Sequence, residues 1–353
     1  MKNYLLYLII ICACIGYVAV GRKNANAEPA AEQKTMVSSI DAPAKKGNAL
    51  ASGSNEATKT EQNEPKVEMG KGNKNANSDS KGKAAQLLEM PHLNPDNFFA
   101  PHYVDYNGKH IMNIAMEWDR TVRHATWVAF SWDATTSQDN VDRGNNWMWD
   151  PLIPLNKWKG VIEAEHKFDG FDKGHLCASE DRVYCREAND QTFFFSNVSP
   201  QMTDFDQKYW AGLEAMTRRW GRSTQRGKYD KVYVTKGGTV SERLLNFKGT
   251  RKSNDNRFPT SDANGLSKGG MAVPAYYFMA FLAVKNGKYQ AIAFLVPHSE
   301  NLCRKPASNS AYQTYAVSID KLEEKTGIDF FCNLPDKTED EVERAFSVSD
   351  WKW

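Results

Sequence analysis

Between Tyr17 and Phe98 the sequence contains no aromatic residue at all. A stretch that long without phenylalanine, tyrosine or tryptophan has too little apolar bulk for a packed core, so a globular domain is excluded there. Also absent is any C-x2-C pair among the six cysteines, which speaks against a four-cysteine zinc site. No internal repeat is visible. An excess of charge of one sign is lacking too. The formal net charge is +2, which neither requires nor excludes a polyanionic partner, because a local basic stripe is what binds one.

What is present is unevenly distributed. Of 353 residues, 12% are aromatic, and beyond Phe98 tryptophan and tyrosine are frequent. That points to one aromatic-rich domain of roughly 250–270 residues, within the usual single-domain limit. At the other end, Lys2 precedes "NYLLYLIIICACIGYVAVG", an apolar run of about 17 residues, long for a signal-peptide core and short for a membrane span. Residues 1–27 therefore read as an export signal or an N-terminal membrane anchor acting through residues 4–20. The expected destination is the periplasm, the cell envelope or the exterior. Residues 28–83, rich in Lys, Asn, Ser, Gly and Glu, read as a disordered polar linker, and 84–353 as the folded domain.

Four cysteines lie in that domain: Cys177, Cys185, Cys303 and Cys332. An even number in an exported domain suggests two disulfides, with three connectivities open. Proximity in sequence favours Cys177–Cys185 and Cys303–Cys332.

Secondary structure reads as α+β with a mixed central sheet and few helices. Strands are expected at Ala125 to Trp132, Thr192 to Val198, "KVYVTKG", "AYYFMAFLAV" and "YQAIAFLVP". A helix capped by Thr203 or Asp204 should carry apolar residues at Phe205, Tyr209, Leu213 and Met216 and stop at Gly221. "SIDKLEEKTGIDFF" reads as a short helix followed by a strand. Trp127 and Trp210 are expected in the core.

The chemistry concentrates around "FDKGHLCASEDR", residues Phe171 to Arg182. His175 is placed on a loop, and the helix that follows carries Asp206 near its first turn and Glu214 two turns on. At about 100° per residue these acids lie about 80° apart, so both border one face. Arg218 follows Glu214 by four, close enough to pair with it or to reach a phosphate. A histidine that takes a proton from water, a hard cation on oxygen ligands and an arginine are the parts of a one-metal phosphodiester hydrolase. "AEH" at Ala164 to His166 is too small a cluster to stand as a second metal site.

"DKGH" at Asp172 to His175 and "NVSPQMTDFDQKYWAGLE" at Asn197 to Glu214 resemble the DNA/RNA non-specific endonuclease family, the ββα-metal or His-Me finger nucleases. That family's pattern is D-R-G-H followed by N-x-x-P-Q-x-x-x-x-N-Q-x-x-W-x-x-L-E. Asn197, Pro200, Gln201, Gln207, Trp210, Leu213 and Glu214 match it in register, and the similarity covers most of residues 98 to 336. The resemblance implies a ββα-metal motif in which His175 is the general base and Asp206 the sole direct protein ligand of Mg2+ (or Mn2+). It further implies that Glu214 holds metal-bound waters, and that Arg143 contacts the phosphate with Arg218 in support. Asp172, Lys173 and Gly174 would shape the loop, with Asn197 orienting it. The implied substrates are DNA and RNA, gripped through the phosphate backbone with little base readout.

Two departures stand out: Asp206 where the family has asparagine, and Lys173 where it has arginine. The aspartate should tighten a hard cation and raise the pKa of His175. Lys173 keeps charge but loses the bidentate fork. A non-catalytic nucleic-acid-binding envelope protein, and a phosphodiesterase for other diesters, are the competing readings.

Overall fold

The computed structural model describes residues 72–154, 170–250, 257–302 and 304–353. The export segment, most of the linker, Ala164 to His166 and Cys303 lie outside the described residues.

Two Asn-Gly pairs set the frame of the sheet. Strands β1 (Phe98–Tyr106) and β2 (Lys109–Asp119) turn at Asn107 and Gly108, with φ of 50° and 72°. Both residues sit in the left-handed region that a type I′ hairpin requires. Strand β3 (His124–Trp132) follows; further along, β6 (Lys231–Gly238) precedes β7 (Tyr276–Lys285) and β8 (Lys288–Pro297). The β7–β8 turn is again Asn-Gly, Asn286 and Gly287. With β9 (Ala316–Val317), these strands form a seven-stranded sheet in the order β1-β2-β3-β6-β7-β8-β9. Every pairing in it is antiparallel, where a mixed sheet was expected. The α+β architecture itself holds.

Helices cover both faces of this sheet. Side chains of β3 alternate, so Val128, Phe130 and Trp132 join one core while Trp127 and Ala129 join the other. The first core packs under a two-stranded hairpin, β4 (Asp172–His175) with β5 (Val198–Gln201), and the long helix that follows it. That helix opens as a π turn over Phe205–Trp210 and continues as an α-helix over Ala211–Arg222. A short helix, α1 (Arg186–Gln191), lies between β4 and β5, so the long helix is α2. The second core lies under α3 (Ile319–Thr326) and α4 (Asp336–Arg344). Trp127 and Trp210 are both buried, as expected. No helix among the described residues is long and apolar enough to cross a membrane.

Several local expectations are overturned. Thr192 to Val198 is not a strand: Thr192 closes α1 through Oγ1 to the Asn189 carbonyl (2.6 Å), and Phe195–Asn197 is a 3-10 turn. The strand begins at Val198 and runs through Pro200, tolerated because β5 pairs only with β4. His175 therefore sits at the end of a strand rather than on a loop. Neither Thr203 nor Asp204 makes a capping bond; Thr203 Oγ1 instead donates to Asp172 Oδ1 (3.1 Å). Gly221 does not stop the helix. A Cβ there would lie 2.3 Å from Trp132 Cδ2, so glycine lets helix and sheet approach, and the chain turns only at Gly227 (φ 67°). "IDFF" forms no strand; Phe330 N is held by Glu323 Oε1 (2.7 Å) and Phe331 takes a φ of 58°.

The folded region also begins before residue 84. Asn77 is buried, its Nδ2 donating to the Ala85 and Pro91 carbonyls (both 2.9 Å) and its backbone N to Asn333 Oδ1 (3.0 Å). The expected disulfides are not formed. Cys177, Cys185 and Cys332 are free thiols. Cys177 is packed in the apolar core, and the Cys332 thiol lies against Met90 O (3.7 Å).

Candidate active site

The β4–β5 hairpin is the platform. Its register sets Asp172 opposite Gln201 and His175 opposite Val198. Gly174 is required by close approach, because a Cβ would lie 2.3 Å from Gln201 Oε1. Beyond the strand, Asn197 clamps the chain: its Oδ1 accepts from Cys177 N (2.8 Å), and its Nδ2 donates to the Cys177 and Thr192 carbonyls (2.9 and 2.7 Å). Fully buried, with its amide bonded to backbone groups, Asn197 orients the segment that follows His175.

Asp172 ties the hairpin to the helix. Besides Thr203, its carboxylate accepts from Gln207 Nε2 at Oδ2 (2.8 Å). These two bonds bracket Asp206, which rides on the π turn, half-buried, with its backbone N on Met202 O (2.9 Å). π turns recur at functional sites because the extra residue re-aims a side chain. The Asp206 charge also reaches Tyr277, adding to the burial that pushes this phenol up. Tyr277 bonds Ser199 of β5 (2.7 Å) and so fixes the far side of the hairpin.

His175 stands against an aromatic wall. Its ring is 5.1 Å from Trp147 and edge-on to Phe193 at 5.2 Å. Two cations share that wall: Lys173 Nζ is 4.1 Å from the Trp147 ring centre, and the Arg143 guanidinium is 5.2 Å from that of Phe193. The loop carrying Arg143 is anchored by Gly144 N to Asn189 Oδ1 (2.8 Å), and by Met148 N to Phe193 O (3.2 Å). His175 Nε2 is buried without a hydrogen-bond partner. Burial, then the charges of Arg143 and Lys173, push the imidazole down to about 3, although Asp181 acts against them. This is opposite to the rise expected from an aspartate at 206; burial is the largest cause, and the acid that acts on the ring is Asp181. The result is a neutral ring with an unengaged nitrogen between two cations.

Glu214 and Arg218 belong to a second group. Lys236, fully buried on β6, reaches Asp181 Oδ2 (2.7 Å) and Glu214 Oε1 (3.2 Å), while Arg218 Nε donates to Asp181 Oδ1 (2.6 Å). Two acids and two bases make the cluster neutral, as burial demands. Asp181 is held down by Lys236 and Arg218 against its burial, and burial pushes Glu214 up. Arg218 is thus committed to Asp181 rather than aimed at a phosphate, correcting its expected supporting role there. Charges on Asp181 and Lys236 act on His175, so the two groups adjoin.

Sequence reasoning missed Trp147, Phe193, Asp181 and Lys236. A lysine inside the apolar strand "KVYVTKG" was the available signal, since a buried ammonium requires a carboxylate.

The family model described as DNA/RNA non-specific endonuclease matches residues 94–337. The chain belongs to that family. It is a nuclease, a phosphodiester hydrolase. Nuclease C1 of Cunninghamella echinulata var. echinulata is 29% identical over 224 residues, 62% of this chain and 80% of that one. A nuclease of Nostoc sp. is 26% identical over 232 residues, 65% of this chain and 74% of the other. Among solved structures, a chain of the EndoG/EndoGI complex is similar, with a TM-score of 0.47 at 20% identity, covering 67% of this chain and 89% of that one.

The residues present fit a hydrated divalent cation. Asp206 offers one hard oxygen donor, and among the described residues it joins no cluster of three or more acidic, histidine or cysteine ligands. A cation bound through one carboxylate keeps most of its water, as magnesium prefers.

Proposed function

We propose that this nuclease is exported and cleaves DNA and RNA with little sequence preference, using His175 as general base and one Mg2+ (or Mn2+) on Asp206. The observation that carries the reading is the neutral imidazole with a buried, unengaged Nε2 between Arg143 and Lys173. Such a ring is unprotonated at neutral pH, the form that a general base requires. Arg143 and Lys173, the exposed and half-exposed cations beside it, attract a phosphate and favour the negative charge that grows on it during attack. When bound, the cation would offset further phosphate charge. Asp172 and the Thr203–Gln207 pair hold Asp206 in place relative to the hairpin. Lys236, itself held by Asp181, fixes the Glu214 carboxylate on α2. Contacts of this kind grip the backbone and read no base, which supports broad specificity. Export rests on the apolar run after Lys2 and on the polar tether that follows it.

The test is cleavage of plasmid DNA and of RNA by the full chain with Mg2+ and with chelator. Cleavage of both substrates, lost on chelation, supports the proposal. Binding without cleavage under any metal, or cleavage confined to non-nucleotide diesters, contradicts it.

A further inference from the structure

On the sheet face opposite the catalytic hairpin, α3 and α4 bring together five acids. Carboxylate oxygens of Asp320, Glu323 and Glu343 lie within 4.8 Å of one another, as do those of Asp329, Glu339 and Glu343. Glu343 belongs to both triads, is only 8% exposed, and its Oε1 has no hydrogen-bond partner. Buried carboxylates normally gather beside a base, yet the bases of these helices turn to other acids. Lys321 pairs with Glu324 (2.5 Å), Lys325 with Glu242, Lys337 with Glu341 (3.9 Å) and Arg344 with Asp340 (3.8 Å). Neutral amides reach the cluster, Asn75 Nδ2 on Asp329 Oδ2 and Glu339 Oε1 (3.0 Å each) and Phe330 N on Glu323 Oε1 (2.7 Å), and the Glu343 carboxyl also hydrogen-bonds Glu323. His92 acts on Asp329 from its far side.

We propose that this cluster is a binding site for a divalent cation of the calcium class, held by the Asp329, Glu339 and Glu343 triad, with Glu323 and Asp320 adjoining it through Glu343. Oxygens that each sit about 2.4 Å from one ion lie no more than about 4.8 Å apart, and the oxygens of each triad fall within that limit. An all-oxygen, carboxylate-rich set of irregular shape suits calcium better than magnesium, which demands near-octahedral geometry and retains water. Burial and mutual repulsion push Glu323 up to about 7, Glu339 to about 8 and Glu343 to about 9, so the cluster holds protons near neutral pH that a bound cation would displace.

The site joins the two ends of the folded region. Asn75 touches two of its acids, and next to it Lys74 N donates to Asp336 Oδ1 (2.8 Å), while Asp336 N donates to Gly72 O (2.6 Å). A cation there fastens the segment before β1 to α3 and α4, so it stabilises the fold and takes no part in phosphodiester chemistry.

The experiment is a melting curve of the full chain, stripped with chelator at pH 7.5 and titrated with Ca2+, alongside Glu343→Gln, Glu339→Gln and Asp206→Ala. The expected result is a rise of about 5 °C at a hundredfold excess over Kd in the wild type and in Asp206→Ala. The rise should be lost in both glutamine variants, which keep Mg2+-dependent cleavage. No rise in the wild type, a rise that survives in Glu343→Gln, or one lost only in Asp206→Ala would each overturn the proposal. Glu339→Gln preserves the test should Glu343→Gln fail to fold.

Discussion

Asp172 Oδ2 accepts a hydrogen bond from Gln207 Nε2 at 2.8 Å, joining the first residue of β4 to the neighbour of Asp206 on the π turn. The hairpin that carries His175 and the helix that carries Asp206 are thereby held as one unit, with Thr203 as the second tie. Asp172→Ala removes both acceptors at once. Its cleavage rate should fall at least tenfold, while urea stability drops by about 1–3 kcal/mol. A rate equal to that of the wild type would show that this link does not position the site.

Lys236 bridges Asp181 and Glu214. Lys236→Met leaves two buried carboxylates facing one arginine, so stability should fall by about 3–5 kcal/mol. Equilibrium denaturation checks the value. The loss should shrink in the double variant Lys236→Met/Glu214→Gln, because the second change removes a charge that the first left uncompensated.

Both the rate and the stability carry a pH signature. The neutral form of His175 is the base, so the acid limb of kcat/KM should lie well below the value near 6.5 of an unperturbed imidazole. Lys173→Gln removes a charge that depresses the ring and should move that limb upward. For stability, His175 and His298 are pushed down by burial to about 3 and about 4. Each takes up a proton on unfolding, so their contribution is complete above about 6.5 and is lost as pH falls toward those values. Melting temperatures between pH 7 and 4 test this, and a flat profile across that range would contradict it.

At position 206 an aspartate stands where the family pattern has asparagine, which would add a negative charge beside a bound cation. Asp206→Asn should raise the Mg2+ concentration needed for half-maximal cleavage several-fold while leaving the fold intact. Metal titrations of the rate read this directly; an unchanged half-saturation would mean that the carboxylate does not bind the cation.

The catalytic frame was legible because its residues are close in sequence. From Asp172 to Glu214, strand, hairpin and helix fall within one short span, and the spacing of Asn197, Gln207, Trp210 and Glu214 survives into the structure. Asp181 was legible only as part of "FDKGHLCASEDR"; its partners Lys236 and Arg218 come from β6 and α2, and no local pattern announces a pairing across the sheet. Trp147 and Phe193 were unreadable for the same reason: an aromatic in a loop looks alike whether it packs in a core or walls a site. The β1–β2 hairpin was missed despite Asn107-Gly108, the strongest short-range turn signal in its region. The thiols illustrate the opposite error. Parity and spacing suggested bridges, yet Cys177 is a free thiol packed in a core cluster whose buried residues include no other cysteine.

The most direct test of His175 as the base is the single-turnover rate of His175→Ala on plasmid DNA at saturating Mg2+, with its melting curve recorded alongside. The expected result is a loss of about 10²–10⁴-fold in rate with the fold preserved. A folded variant that cleaves within tenfold of the wild type would contradict it.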